Sequence, residues 1–469
     1  MNGAYRRVLA RFPAASTERF AQVAVFLCFL ALFVVHASLL RPLLQNGDSA
    51  VYNVQIETHD LRDRSTHVGY FALGMLFNML LPFGTDLNMN VMVLVVGFLG
   101  LAAVYATAKW LSGSRLIALT PVVLALGLPS QVRGMLLSEV DVVSVAFVAI
   151  AFACFVRGAA LAAGLFFGFS VLVTPLSGPL LMLFLLYFKA GRAGALRALI
   201  AHARKLATFG VAALLVYLPP VLIDYQDYVY GPRGLVHAPR SSMSVPQRIV
   251  HSVDFMRNEL GYMLPLYAAS LVLCLVSPRL WRAGQPALAL LGSMALMAVV
   301  GERFGDVPVQ LPNLVLLGAL PAIAYRASGR LLRVGLVLLF GLCVVNLQSS
   351  HASALRDLQR RERDRNLCLA IRAASGPRAP VLVGLSGFTQ SRVFERYAST
   401  PEQPALALDF RAFMRDEARW LDPAAQTQIW FFRSVREQQV APLLERYAFE
   451  TKAIGKRRFK VLVPLPGSG

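Results

Sequence analysis

The stretch from Gln45 to Tyr70 gathers the side chains best suited to polar chemistry in this chain. It holds Asp48, Glu57, Asp60 and Asp63 together with Tyr52, His59, Arg62, Arg64 and His67. Carboxylates and imidazoles at such a place serve as general acids and bases, and arginines hold anions through two parallel hydrogen bonds. A second acidic group stands at Glu139 and Asp141, and Arg303 lies in Gly301-Glu-Arg-Phe304. A long polar and aromatic stretch, 223–262, adds Tyr225, Tyr228 and Arg233. Each group has two readings: a reactive site, or a solvated connector between apolar elements.

The elements that must position these residues are set by composition. The chain has 469 residues, of which 56% are hydrophobic and 15% charged, against about 25% charged in soluble domains. Mean hydropathy is +0.56. This is the composition of an integral membrane protein. The formal charge of +20 is spread around apolar runs, so it reads as loop charge of the positive-inside kind and argues against a nucleic-acid partner. Of the five cysteines, Cys28, Cys154, Cys274 and Cys343 lie in apolar runs and Cys368 stands alone. No disulfide framework or zinc spacing follows from that pattern.

Apolar runs near the ~20-residue spanning length recur about eleven times. They fall near 20–40, 89–108, 116–131, 141–157, 158–174, 177–190, 206–222, 263–277, 284–301, 312–326 and 333–347. The first follows a basic N-terminus and is long enough to be retained as a span. With the N-terminus in the cytoplasm, the basic residues collect on the cytoplasmic side, as the positive-inside rule requires. The acids sort more sharply. Before residue 349 only Glu18 falls inside, while Asp48, Glu139, Asp141, Asp254, Glu259 and the rest fall outside. A one-sided set of carboxylates suits an active outer face; the plain alternative is that translocated connectors avoid Lys and Arg. Val68 to Leu81 is too short for a span and reads as an interfacial or re-entrant helix ending at Pro82-Phe83-Gly84.

After Gln348 the pattern changes. Short runs at 379–385, 405–410, 428–432 and 459–463 read as strands. Helix-like segments lie near 355–374, 390–398, 409–420 and 435–447. The expected organisation is therefore an α-helical polytopic membrane domain, 1–348, with outer loops 41–88 and 223–262. A small α/β domain, 349–469, follows and lies outside by parity.

The order of short motifs resembles the GT-C superfamily of integral-membrane glycosyltransferases, in particular the branch of protein O-mannosyltransferases and lipid A aminoarabinose transferases. An acid follows the first run, in Asn46-Gly-Asp-Ser-Ala-Val-Tyr52. His67-Val-Gly-Tyr-Phe71 comes next, then a run ending at Lys109, then Ser138-Glu-Val-Asp141. Last is Gly164-Leu-Phe-Phe-Gly168, leading to Thr174-Pro175 and Gly178-Pro179. The likeness covers roughly 1–190. This chain has His67-Val68-Gly69 where the family has His-Pro-Pro, and Thr174-Pro175-Leu176 where it has Lys-Gly-Pro.

The resemblance implies a GT-C-like fold and transfer of a sugar from a polyprenyl-phosphate donor to an acceptor hydroxyl of a glycan, lipid or protein. The site would be on the outer face of a bacterial inner membrane. In this scheme Asp48 is the general base, or, on the plain reading, a helix-terminal acid. Asp141 is a second catalytic acid or the ligand of a divalent metal, Mg²⁺ or Mn²⁺, or else an acid favoured by its helix dipole. The resemblance points to His67 and Arg303 as substrate-binding residues, and the sequence itself adds Glu139, Tyr52, Arg233 and Tyr225 as candidates. Asp48 and Asp141 are expected to meet in one wet pocket. A transporter or flippase of lipid-linked glycans is the first rival, but it requires charges within its spans. A membrane scaffold that presents the α/β domain is the second.

Overall fold

The computed structural model describes residues 14–59, 67–180, 195–223, 244–276, 315–316, 318–384, 388–400, 402–421, 426–431, 443, 447–455 and 457–464. In chain order the helices are α1 (Ala14–Ser38), α2 (Gly47–Thr58), α3 (Val68–Leu80), α4 (Thr85–Ser112), α5 (Thr120–Leu126), α6 (Pro129–Leu136), α7 (Val140–Val156) and α8 (Ala160–Val173). They continue as α9 (Ala195–Ile223), α10 (Val245–Leu260), α11 (Leu264–Val276), α12 (Ala319–Ala327), α13 (Arg330–Ser375), α14 (Phe388–Ala398), α15 (Phe410–Arg415) and α16 (Glu417–Trp420). The strands are β1 (Ala379–Val383), β2 (Leu406–Leu408), β3 (Thr427–Phe431), β4 (Tyr447–Ile454) and β5 (Arg457–Pro464). The chain forms two compact units, residues 1–41 with 61–355, and residues 42–60 with 356–469.

Four described helices are long and apolar enough to cross a membrane: Arg19–Ser38, Thr85–Ser112 and His202–Ile223 of the first unit, and Arg330–Ser375, whose last part belongs to the second. The expected number of eleven is not reached among the described residues. Helices α7 and α8 are shorter apolar helices at two expected spans, and the run 284–301 lies outside the described residues. Helix α4 is interior, with 67% of its apolar window buried, whereas the windows of α1 and α9 are 11% buried. The latter two turn apolar side chains outward, where only lipid would cover them.

Glycines let these helices approach closely. A Cβ at Gly164 or Gly168 would overlap the backbone of Phe209 or Ala213, and one at Gly100 would lie 2.6 Å from Ala146 Cα. Gly164 and Gly168 thus form a small-xxx-small stripe of the type that packs helices in membranes. This is the physical content of the Gly-rich motif in α8.

The expected span at 116–131 is broken. Ile117–Leu126 and Pro129–Leu136 meet at 74°. Pro129 holds Leu128 in extended backbone, φ −84 and ψ 119, as the residue before a proline prefers. The break is satisfied internally: the buried Gly127 carbonyl accepts from Asn346 Nδ2 at 2.7 Å and Ser350 Oγ at 2.6 Å. Helix α3 occupies the expected interfacial segment. Its turn into α4 is closed by Asn88, whose Nδ2 donates to Asn78 Oδ1 at 2.9 Å and Phe83 O at 2.8 Å.

The expected division at 348/349 falls inside α13, which runs unbroken for 46 residues. The second unit is a five-stranded sheet in the order β2-β1-β3-β5-β4. β1 is parallel to β2 and β3, and β5 is antiparallel to β3 and β4. Alternation with period 2 places Leu382 and Trp430 in one core with Ile371 and Phe394. It places Val381, Val383, Ile429 and Phe431 in the other with Phe413. Strand β4 stands where only β5 was expected, paired with it from Ile454↔Arg457 to Tyr447↔Pro464. Gly455, at φ +58, supplies the left-handed backbone that a two-residue hairpin turn needs.

Candidate functional site

The residues singled out in the sequence divide between the two units, and each set is built locally. In the second unit, Asn46 caps α2. Its Oδ1 accepts from Ser49 N at 2.9 Å, with Ser49 Oγ at 3.2 Å, satisfying one of the donors left open at a helix start. Asp48 lies in the first helical turn and is exposed. The acid is therefore helical rather than in an open loop, and Asn46, not Asp48, is the cap. Leu43, Leu44 and Ile56 are fully buried. The Leu44 amide donates to the Tyr397 hydroxyl at 2.8 Å, and Arg396 pairs with Glu57. These contacts make α2 part of the α/β unit. Tyr52, one turn beyond Asp48, is buried.

In the first unit a second polar group forms where α3 meets the ends of α6, α7 and α8. His67 is the residue before α3, and its Nδ1 bonds Val173 O at 2.7 Å. A carbonyl only accepts, so that ring nitrogen carries the proton and, in the neutral ring, Nε2 carries the lone pair. Two residues on, a Cβ at Gly69 would lie 2.9 Å from Val173 N and 3.0 Å from Leu172 C. Only glycine lets the start of α3 rest on the end of α8. Tyr70 is fully buried, and its hydroxyl donates to Ser138 O at 3.0 Å. Ser138 turns the chain at φ +43. Glu139 follows as the residue capping α7, and Asp141 stands in the first turn of α7. Both are partly exposed, and both stand at the positive end of that helix.

The Tyr70 bond thus ties the start of α3 to the turn at Ser138 from which Glu139 and Asp141 follow. Tyr70 and Thr174 stand in the sequence motifs, but neither had an assigned role. Thr174 caps the end of α8 and is buried, and its Oγ1 has no hydrogen-bond partner among the described residues. Glu259 was visible as an outer acid without an assigned role. It is buried on α10 and accepts from Ser130 N at 3.0 Å and Ser130 Oγ at 2.6 Å. It therefore closes the N-terminus of α6. Burial pushes its carboxyl above the usual carboxylate range, and the Ser130 bonds and Arg133 offset this only in part.

Arg303, Arg233 and Tyr225 lie outside the described residues. So do Asp60 and Asp63. Among the described residues, no three His, Cys, Asp or Glu side chains are grouped to hold a metal ion.

No protein-family model matches the chain, and no curated protein matches it in sequence. The fold is shared with solved structures. ArnT from Cupriavidus metallidurans bound to undecaprenyl phosphate matches with a TM-score of 0.66 at 14% identity, over 94% of this chain and 97% of that one. Its apo state matches at 0.65 and 13%, over 94% and 98%. The Archaeoglobus fulgidus oligosaccharyltransferase in the apo form matches at 0.50 and 12%, over 86% and 69%. At these identities the likeness is one of fold, which the chain shares with these structures.

Proposed function

We propose, from that shared fold, that the chain transfers a sugar from a polyprenyl-phosphate donor to an acceptor hydroxyl on the outer face of a bacterial inner membrane. The carrying observation is the match over nearly the whole of ArnT, a protein solved with undecaprenyl phosphate bound. The α/β unit is then periplasmic and the N-terminus cytoplasmic.

In this reading the acceptor oxygen attacks the anomeric carbon. The bond from that carbon to the phosphate oxygen breaks, its electron pair stays on the departing polyprenyl phosphate, and the configuration inverts. The hydroxyl proton passes to a carboxylate. Asp48 is suited to that role: it is exposed, it stands in the first turn of a helix capped by Asn46, and Gly47 beside it has no side chain to obstruct approach. Such a base contributes about 10²–10⁴ in rate. Asp141 acts as a second acid at the acceptor or as a ligand of Mg²⁺ or Mn²⁺, and Glu139 and His67 bind substrate. Charge on the leaving phosphate calls for a cation, and Arg303 is the proposed source.

Undecaprenyl phosphate is the direct probe. Full-length protein in neutral detergent should bind it at least tenfold more tightly than undecaprenol. Equal affinity for the two would remove the donor class from this reading.

A further inference from the structure

The α/β unit contains a cavity of about 420 Å³, within the range of small-molecule sites. Its lining is divided. Leu367, Val393 and Tyr397, all half-buried, contribute the accessible apolar surface, over the buried core side chains Leu382 and Phe394. Arg360, Arg361 and Arg363 of α13 and Arg457 of β5 contribute guanidinium groups. Four cations face a single lining acid, Asp364, which reaches Arg457 at 3.8 Å.

Like charges one turn apart on a helix repel, and Arg360 and Arg363 are so placed, while Glu362 between them is not part of the lining. Arg360 is exposed and makes no hydrogen bond or ion pair among the described residues. Open apolar surface beneath a cationic rim is unfavourable in water on both counts. A ligand that relieves both must carry a negative head and an apolar body. Planar guanidinium groups suit a phosphate or carboxylate, which they bind in pairs.

We propose that this cavity is a binding site for an anionic amphiphile, with its phosphate or carboxylate head among Arg360, Arg363 and Arg457 and its apolar part against Leu367, Val393 and Tyr397. The site belongs to the α/β unit alone and does not depend on the transfer reaction.

The test uses full-length protein in neutral detergent and three probes: a short-chain phosphatidic acid, phosphatidylcholine with the same acyl chains, and inorganic phosphate. Phosphatidic acid should bind at least tenfold more tightly than phosphatidylcholine, and its affinity should fall as salt is raised. The double variant Arg360→Glu, Arg363→Glu should lose at least tenfold. Arg411→Glu, an exposed arginine outside the cavity, should bind as wild type. Near-ultraviolet circular dichroism of the buried Trp430 reports whether the unit stays folded; if the double variant unfolds, the glutamine pair Arg360→Gln, Arg363→Gln replaces it with the same expectation. The proposal fails if the two lipids bind equally or if folded arginine variants bind as wild type. It also fails if inorganic phosphate displaces phosphatidic acid at equal concentration, since the apolar lining would then contribute nothing.

Discussion

The hydroxyl of Tyr70 donates to the carbonyl of Ser138 at 3.0 Å, joining the helix after His67 to the turn that presents Glu139 and Asp141. The bond is buried and 68 residues apart in sequence. Replacing Tyr70 with Phe leaves the Ser138 carbonyl without that donor, at a cost of about 1–3 kcal/mol. A lower melting temperature together with slower sugar transfer is expected. A stable variant with slow transfer would still place Tyr70 in the site; wild-type behaviour in both assays would show that the tie is dispensable.

His67 separates a structural from a chemical role. Asparagine keeps a donor near the Nδ1 position for Val173 O and is a favoured residue at a helix start, but it lacks Nε2. His67→Asn should hold its stability within about 1 kcal/mol while transfer falls at least tenfold. Full activity would reduce His67 to a packing residue. His67→Ala should lose both.

Gly69 meets backbone rather than a flexible side chain. In Gly69→Ala the added methyl would stand 2.9 Å from Val173 N, so α3 must shift from α8 at a cost of about 1–3 kcal/mol. Gly84→Ala is the control, because nothing lies within 4 Å of a Cβ there. Equal melting temperatures for the two variants would contradict the close approach.

Much of this architecture was readable from sequence, for physical reasons. The short apolar helix at 68–80 ends where Pro82-Phe83-Gly84 stops its run. The strands at 379–383 and 427–431 stand out as compact apolar runs buried on both faces. The bend before Pro129 had a signal, Gly127-Leu128-Pro129, but an apolar run conceals it when length alone is counted. Strand β4 alternates weakly because Glu450 and Lys452 interrupt it. The docking of α2 on the α/β unit was not legible at all, since Leu44 and Tyr397 are 353 residues apart and neither carries a local signature of the other. The carboxylates were found by type, and the plain reading of Asp48 and Asp141 as helix-start acids matches their places in the first turns of α2 and α7.

Glu259 gives a pH dependence with a definite sign. Its folded pKa is raised by burial, so its contribution favours the native state fully below the ordinary carboxylate value. That contribution declines as pH rises through the raised value. Glu259→Gln removes this titration and keeps an acceptor for Ser130. Its stability should therefore change less than wild type as pH is raised from acid to neutral. Glu259→Ala should destabilise by about 1–3 kcal/mol, because the Ser130 amide loses its partner. Parallel wild-type and Gln curves would contradict the assignment.

The most direct test is the conversion of an undecaprenyl-phosphate-linked sugar by Asp48→Asn. Folded wild-type protein in membranes, offered a panel of such donors and envelope glycolipid acceptors, should release undecaprenyl phosphate from at least one of them. Asp48→Asn should lower that rate about 10²–10⁴-fold with the melting temperature unchanged. Transfer at the wild-type rate by folded Asp48→Asn would contradict the assignment of Asp48 as the base.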